Sequence, residues 1–301
     1  MTEILGFFME LYQVGKLLKE YRERRSITQE ELSCGICSVV TLSNIENGKE
    51  VPNKRTVEYF FEKLGYKAPE NNAPITEAEI IRYNIETIIE QKIAVEDFNI
   101  ANLLKDYETS ALEMSSFEKQ RFFLYSAIYD LHNNINKETV FEQFNKALKL
   151  TFPSYETAIK DTSHRYFFSK AELTIFYYIA VLKNSIFMVK YIAEYIDKNV
   201  MYIVDKSKYH TMILDLLCRL YTENKEYTNA IQTSIFGAKK CSEYGKVLYL
   251  PSLVLYRGIS YYFAENKEKG LKTINDSIRL ASYFGKENEF KEKLKKYGIN
   301  L

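Results

Sequence analysis

The chain has 301 residues, 46% of them hydrophobic and 27% charged, enough apolar material for a large core and too much length for one small domain. Five prolines and eleven glycines are too few for the many tight turns of a sandwich or barrel. A net charge of +1 argues against a polycationic nucleic-acid coat or a membrane-surface protein, and four cysteines in this length do not make a disulfide framework.

The opening stretch is apolar but carries Glu3 and Glu10 and no basic flank, so it makes a poor signal peptide. No apolar run reaches the roughly 18 residues of a membrane span. A soluble, cytoplasmic protein with no membrane partner is expected. Met9 lies close to the first helix, so residues 1–8 read as an extension or as lying upstream of the true start. Periodicity places that helix over about 11–25, with Val14, Leu17, Leu18 and Tyr21 on one face. Ser26-Ile27-Thr28 stops it, and Thr28 with Glu31 forms a capping box for a short second helix. Gly35 to Ser38 supply a tight turn, with Ser38 the cap of a third helix near 39–46 that Asn47-Gly48 end. Pro52-Asn53 start a fourth, with Val57, Phe60, Phe61 and Leu64 facing the core. Two short helices joined by such a turn make a helix-turn-helix, whose second helix can enter a major groove. Residues 14–67 hold ten Lys/Arg against eight Glu, so affinity per head should be modest and two half-sites are expected to be bound by a dimer.

This stretch resembles the helix-turn-helix of the phage-repressor and Cro class through Arg22, Thr28-Gln29-Glu30-Glu31-Leu32, Leu42, and Ile45-Glu46-Asn47-Gly48 followed by Pro52. The Leu32-to-Glu46 separation is a residue shorter than in many such repressors and similar to that of PlcR-type regulators. The resemblance implies a buried Arg22–Glu46 ion pair, and Gln29 and the amides near Asn47 at phosphates. It puts Ser38, Val39, Val40, Thr41 and Asn44 at groove-facing positions. Asn44 suits an adenine edge, and Val39 and Val40 suit thymine methyls, with packing against the domain as the alternative for the valines. Lys49, Lys54 and Arg55 are candidate phosphate contacts, or else ordinary solvated charges.

Cys34-Gly-Ile-Cys37 has the spacing of a redox site or half a zinc site, but it ends a short helix with no second Cys/His pair nearby. His132, His164 and His210 stand apart, and no phosphate loop or nucleophile motif occurs. No metal, cofactor or enzyme is expected.

Ala68-Pro-Glu-Asn-Asn-Ala-Pro74 breaks the periodicity. A head over 1–68, a linker over 69–75 and a C-terminal domain over 76–301 are expected. Thr76 and Glu79 form a second capping box, followed by Ile80, Ile81, Ile85, Ile88 and Ile89 at helical spacing with Asn84 as the polar exception. Further helical runs lie around 116–133, 139–151, 169–184, 186–198, 209–223, 227–243, 249–264, 267–284 and 286–297. An all-α protein is expected.

Ser242-Glu-Tyr-Gly-Lys246 recurs as Ser282-Tyr-Phe-Gly-Lys286, and at the same offset Cys218, Tyr221 and Ala230 meet Gly258, Tyr261 and Gly270. Small residues at fixed places let stacked helical hairpins approach closely. The pattern resembles a degenerate tetratricopeptide repeat, with a generic bundle as the alternative. A helix-turn-helix followed by about 225 residues of tetratricopeptide-like hairpins resembles the Rgg/PlcR/PrgX group of quorum-sensing regulators. That resemblance implies a homodimer on an operator, switched by a short signalling peptide held on a concave superhelical surface. Asp215, Arg219 and Thr222 on one inner helix and Tyr262 on the next are candidate peptide contacts, with Tyr178, Asn184 and Asn224 as further ones. Each has a core or surface role as its alternative. Two rival readings stay open: a regulator whose repeats bind a protein partner, and a phosphatase-like interaction protein with a vestigial head.

Overall fold

A computed structural model describes residues 14–66, 68, 76–110, 114–160, 167–199, 206–264 and 266–300, all helix and loop. The expected linker 69–75, Met1, Met9 and His164 lie outside them. The chain divides into two compact units, Met1–Leu182 with Met201–Val204, and Lys183–Val200 with Asp205–Leu301. No helix among the described residues is long and apolar enough to cross a membrane.

In the first unit the head consists of α1 (helical through 14–24), α2 (Gln29–Ser33), α3 (Val39–Glu46) and α4 (Lys54–Lys63). Of the residues expected inside, Val14, Leu18, Val57, Phe60, Phe61 and Leu64 are buried together and Leu17 and Tyr21 pack partly buried against them; Leu32, Leu42 and Ile45 join the same core. Each boundary has a local cause. Thr28 Oγ1 accepts from the Glu31 amide at 3.1 Å while Glu31 Oε2 accepts from the Thr28 amide at 2.6 Å, which starts α2. Ser38 Oγ accepts from the Thr41 amide at 3.0 Å and starts α3; Gly48, at φ +69°, turns the chain out of it. A Cβ at Gly15 would strike the Ile45 carbonyl, so α1 crosses α3 at backbone contact.

The rest of the first unit is α5 (Glu77–Ala94), α6 (Ala101–Thr109), α7 (Ser116–His132), α8 (Lys137–Lys149), the single turn α9 (Tyr155–Ala158) and α10 (Lys170–Lys183). The sequence reading missed α6 and α9. Neither has a side-chain cap, since Ile100 and Ser154 hold their N-cap positions without a capping bond.

Helix α4 is joined to these helices by buried polar groups. Glu86 on α5 accepts from Arg55 Nη2 and from Arg121 Nη1 on α7, each at 2.7 Å, and from the Tyr107 hydroxyl at 2.7 Å. Burial alone would raise the Glu86 carboxyl; Arg121 and Arg55 outweigh it and hold the group below its usual range. The Tyr59 hydroxyl donates to Gln120 Oε1 at 3.0 Å, and Gln120 Nε2 donates to Thr151 Oγ1 at 2.5 Å. Thr151 in turn donates to Glu172 Oε1 at 2.7 Å. Lys63 Nζ donates to the Cys34 carbonyl at 2.7 Å, and a Cβ on Gly35 would collide with the Thr151 carbonyl. The turn before the third helix is therefore packed directly onto the end of α8.

The second unit is α11 (Ile186–Asn199), α12 (Lys206–Glu223), α13 (Tyr227–Tyr244), α14 (Leu250–Phe263), α15 (Lys267–Ser282) and α16 (Glu287–Lys296). The repeat is physical. Cys218 Sγ donates to the Ala230 carbonyl at 3.3 Å in the α12–α13 hairpin. At the matching place in α14–α15 a Cβ on Gly258 would lie 3.2 Å from the Gly270 carbonyl. Both α13 and α15 run out through a left-handed glycine of the repeated motif, Gly245 (φ +63°) and Gly285 (φ +68°).

Candidate functional site

The third helix is held by its inner face alone. Leu42 and Ile45 fill the core, and Glu46, also buried, accepts from Arg22 Nε at 2.6 Å and Nη2 at 2.9 Å. Arg22 Nη1 also donates to the Ile27 carbonyl at 2.8 Å, so this bidentate pair ties α1 to both α2 and α3. The outer edge is open. Val39 and Val40 are exposed, Val40 at 70%, which removes the alternative that they pack inside the domain. Ser38 and Thr41 share a 2.9 Å hydroxyl contact at the helix start. One turn on, the half-buried Asn44 makes no side-chain hydrogen bond to any described residue, so its amide keeps both donor and acceptor for a base edge. Lys49 is exposed and Lys54 half-buried, neither in an ion pair with a described residue. Asn47 is exposed, with its side-chain amide on the Ser43 carbonyl at 2.7 Å, so its contribution to a phosphate would come from the backbone.

Two of the expected contacts lie elsewhere. Arg55 is buried against Glu86, also within 3.5 Å of Glu58, and cannot meet a phosphate without breaking that joint. Gln29 is half-buried and donates from Nε2 to Glu46 Oε2 at 2.7 Å, so it braces the Arg22–Glu46 pair. Of the two cysteines in the C-x-x-C, Cys37 is half-buried, with burial pushing its thiol up to about 11, away from thiolate chemistry. No metal-holding group of His, Cys, Asp and Glu occurs among the described residues.

Of the residues expected to hold a ligand, the second unit brings Asp215 and Arg219 together, one turn apart on α12. Asp215 bonds Ser252 on α14, and burial raises its carboxyl to about 6. The residue is only partly covered, yet Asp215 Oδ1 and Arg219 Nε are both shut from solvent without a hydrogen-bond partner among the described residues. The nearest carboxylate to Arg219, Glu223 Oε1, stands at 3.9 Å, too far to satisfy Nε. The Arg219 charge acts on the phenols of Tyr256, on α14, and Tyr297, which caps α16. Sequence spacing gave no sign of Ser252, Tyr256 or Tyr297, which reach this spot from distant positions.

The other candidates fall away from it. Thr222 is buried between helices, its Oγ1 on the Cys218 carbonyl at 2.9 Å and against Ser260 at 3.1 Å. Asn224 returns its amide to the Leu220 carbonyl at 2.9 Å, ending α12. Asn184 is an exposed turn residue at φ +46°. The backbone of Tyr262 is what Gly270 packs against, and its ring lies beside Phe263 and Lys267. Tyr178, in the first unit, is stacked on Phe144 at 5.0 Å, and burial raises its phenol.

These features define a helix-turn-helix head carried on helical hairpins. A family model described as a helix-turn-helix domain matches residues 13–71. No curated protein matches the chain in sequence. Among solved structures, PlcR of Bacillus thuringiensis, in complex with the peptide PapR7 and DNA, is similar at a TM-score of 0.57 and 16% identity over 96% of this chain and 100% of that one. The apo competence regulator ComR of Streptococcus vestibularis gives 0.49 and 14% over 96% and 99%. The pheromone receptor Rgg2 of Streptococcus dysgalactiae gives 0.48 and 11% over 94% and 99%. At such identity the likeness to PlcR is one of fold.

Proposed function

We propose that this chain is a DNA-binding transcription regulator, acting as a homodimer on an operator, whose hairpins bind a short peptide that switches operator binding. The observation that carries it is the exposed outer edge of α3, with Asn44 unpartnered and Val40 open. Ser38, Val39, Val40, Thr41 and Asn44 read bases; Lys49, Lys54 and the backbone near Asn47 hold phosphates. The matched helix-turn-helix domain and the PlcR-like fold support this reading.

Asp215 Oδ1 and Arg219 Nε support the ligand half, because an acceptor and a donor one turn apart suit the N–H and C=O of an extended peptide. A peptide favouring one dimer arrangement by about 1–3 kcal/mol changes operator affinity roughly 5- to 150-fold.

The test starts by enriching random-sequence duplexes on the wild-type protein and measuring affinity for the winners. Thr41→Ala with Asn44→Ala should lose the preference for those duplexes while circular dichroism stays unchanged. An unaltered preference refutes the base-reading role. For the ligand half, a library of short peptides is titrated by calorimetry; binding that survives Arg219→Ala unchanged removes that residue from the site.

A further inference from the structure

Helix α12 is closed along most of its length. From Tyr209 to Thr222 every residue is buried except Asp215 and Arg219, which stand one turn apart with opposite charge. Asp215 bonds Ser252, itself only partly buried, so the opening lies between α12 and α14. Opposite charges at this spacing on a helix ordinarily close an ion pair. These two do not: Asp215 Oδ1 and Arg219 Nε are each shut from solvent, and no described residue bonds either atom. A buried acceptor and a buried donor left apart cost free energy until a group that bonds both fills the space between them. The Arg219 side chain is still 31% exposed, so a small turn of it admits such a group.

We propose that this opening takes an uncharged amide of the ligand, its N–H donating to Asp215 Oδ1 and its C=O accepting from Arg219 Nε, and rejects a carboxylate or an ammonium group. This rests on the peptide binding of the proposed function and names the chemistry that the site selects. A ligand carboxylate brings an oxygen against the Asp215 carboxylate, and an ammonium brings a cation against Arg219. An amide meets each with the opposite polarity and carries no charge into buried surroundings. A backbone amide and the side chain of Asn or Gln share this chemistry. Acid should expel the amide, because its N–H bonds the ionised form of Asp215. The groups that face Asp215 are Arg219 and Cys218 on α12, Cys241 on α13, Ser252 and Tyr256 on α14, and Lys293 on α16. Burial raises both thiols and the phenol, which leaves Asp215, at about 6, as the group of this set that titrates between pH 5 and about 8.

The probe is the tightest peptide enriched from a random library of short peptides on the full chain, titrated by calorimetry. Asp215→Leu and Arg219→Met should each weaken it by at least about tenfold. A ligand carboxylate at this place would instead gain affinity from Asp215→Leu, and a ligand ammonium from Arg219→Met; either gain overturns the proposal. In wild type the affinity should fall as pH drops below about 6, approaching tenfold per pH unit, since the free protein takes up a proton that the complex excludes. Asp215→Asn keeps the bulk and an acceptor but cannot titrate, so it should bind with that fall removed, a readout that stands even where Asp215→Leu does not fold. N-methylating each backbone amide of the probe in turn, and replacing each Asn or Gln by Ala, identifies which kind of amide is held. A peptide that binds with no response to the two uncharged variants, or with the same pH profile in Asp215→Asn, overturns the proposal and leaves peptide binding intact. A library that yields no binder overturns both.

Discussion

Between α4 and the helices it packs on, the buried contacts are ionic and hydroxylic; between α12 and α15 they are made by glycine, serine and cysteine. In the first case Glu86 is shared by two arginines and a tyrosine. In the second, Gly258 and Gly270 bring two helices to backbone contact, and Ser234 and Ser277 donate to the carbonyls of Leu253 and Pro251 at 2.7 and 2.9 Å. A repeat needs only to stack on a copy of itself, so small residues at a fixed period suffice. A head placed on a different partner needs directional contacts, since charge and hydrogen bonds admit one arrangement where apolar faces admit several. The difference has consequences for stability that point mutations can read.

The largest effect should come from Glu86→Ala. It strands Arg55 and Arg121 without their shared carboxylate in a buried site, and removing one partner of such a pair costs about 3–5 kcal/mol. Urea unfolding followed by circular dichroism measures it. A loss under about 1 kcal/mol would mean that water reaches the joint and that the contrast between the two regions is false.

Gly270→Val should come next. Any Cβ there sits 2.6 Å from Tyr262 Cα, a backbone atom with no freedom to retreat. Overpacking of this kind costs about 1–3 kcal/mol. Gly237→Ala sharpens the comparison, because the close contacts of its Cβ are the methyl ends of Leu253, at 2.9 and 3.0 Å, which can swing aside, while Leu214 Cβ at 3.5 Å is ordinary contact. Equal losses in the two variants, measured by thermal unfolding, would show that the hairpins yield as a whole and that backbone contact is not what limits them.

The two regions also differ in how far the sequence revealed them. The hairpins announced themselves because Cys218, Ala230, Gly258 and Gly270 recur at one offset, and the head because capping residues act within three positions. Thr28, Ser38 and Thr76 start their helices as expected. The joint was illegible. Tyr59 meets Gln120, and Lys63 approaches Glu172, across separations that leave no local pattern, so Arg55 read as a free cation. Thr222 failed for a related reason: helical spacing puts it near Arg219 in sequence, but Ser260 on the neighbouring helix claims its hydroxyl. Periodicity reports which face is buried and is silent about what buries it.

The smallest effect is one of pH, and here the two regions should respond with opposite sign. Glu86 is held below its usual range by Arg121 and Arg55 against the pull of burial, so its share of the stability is present above about pH 4.5 and drains away as pH falls below that. Asp215 is the reverse case. Burial raises its carboxyl from 3.8 unfolded to about 6 folded, so the folded protein takes up the proton first. Its contribution is therefore greatest in acid and declines as pH rises from about 4 to about 6. Chemical denaturation at a series of pH values should show stability sagging over that interval in wild type, and Asp215→Asn should remove the sag while leaving the acid limb below pH 4.5 in place. Should the sag persist in Asp215→Asn, the carboxyl would be solvated after all, and the unpartnered Oδ1 would lose its standing as a waiting acceptor for a ligand.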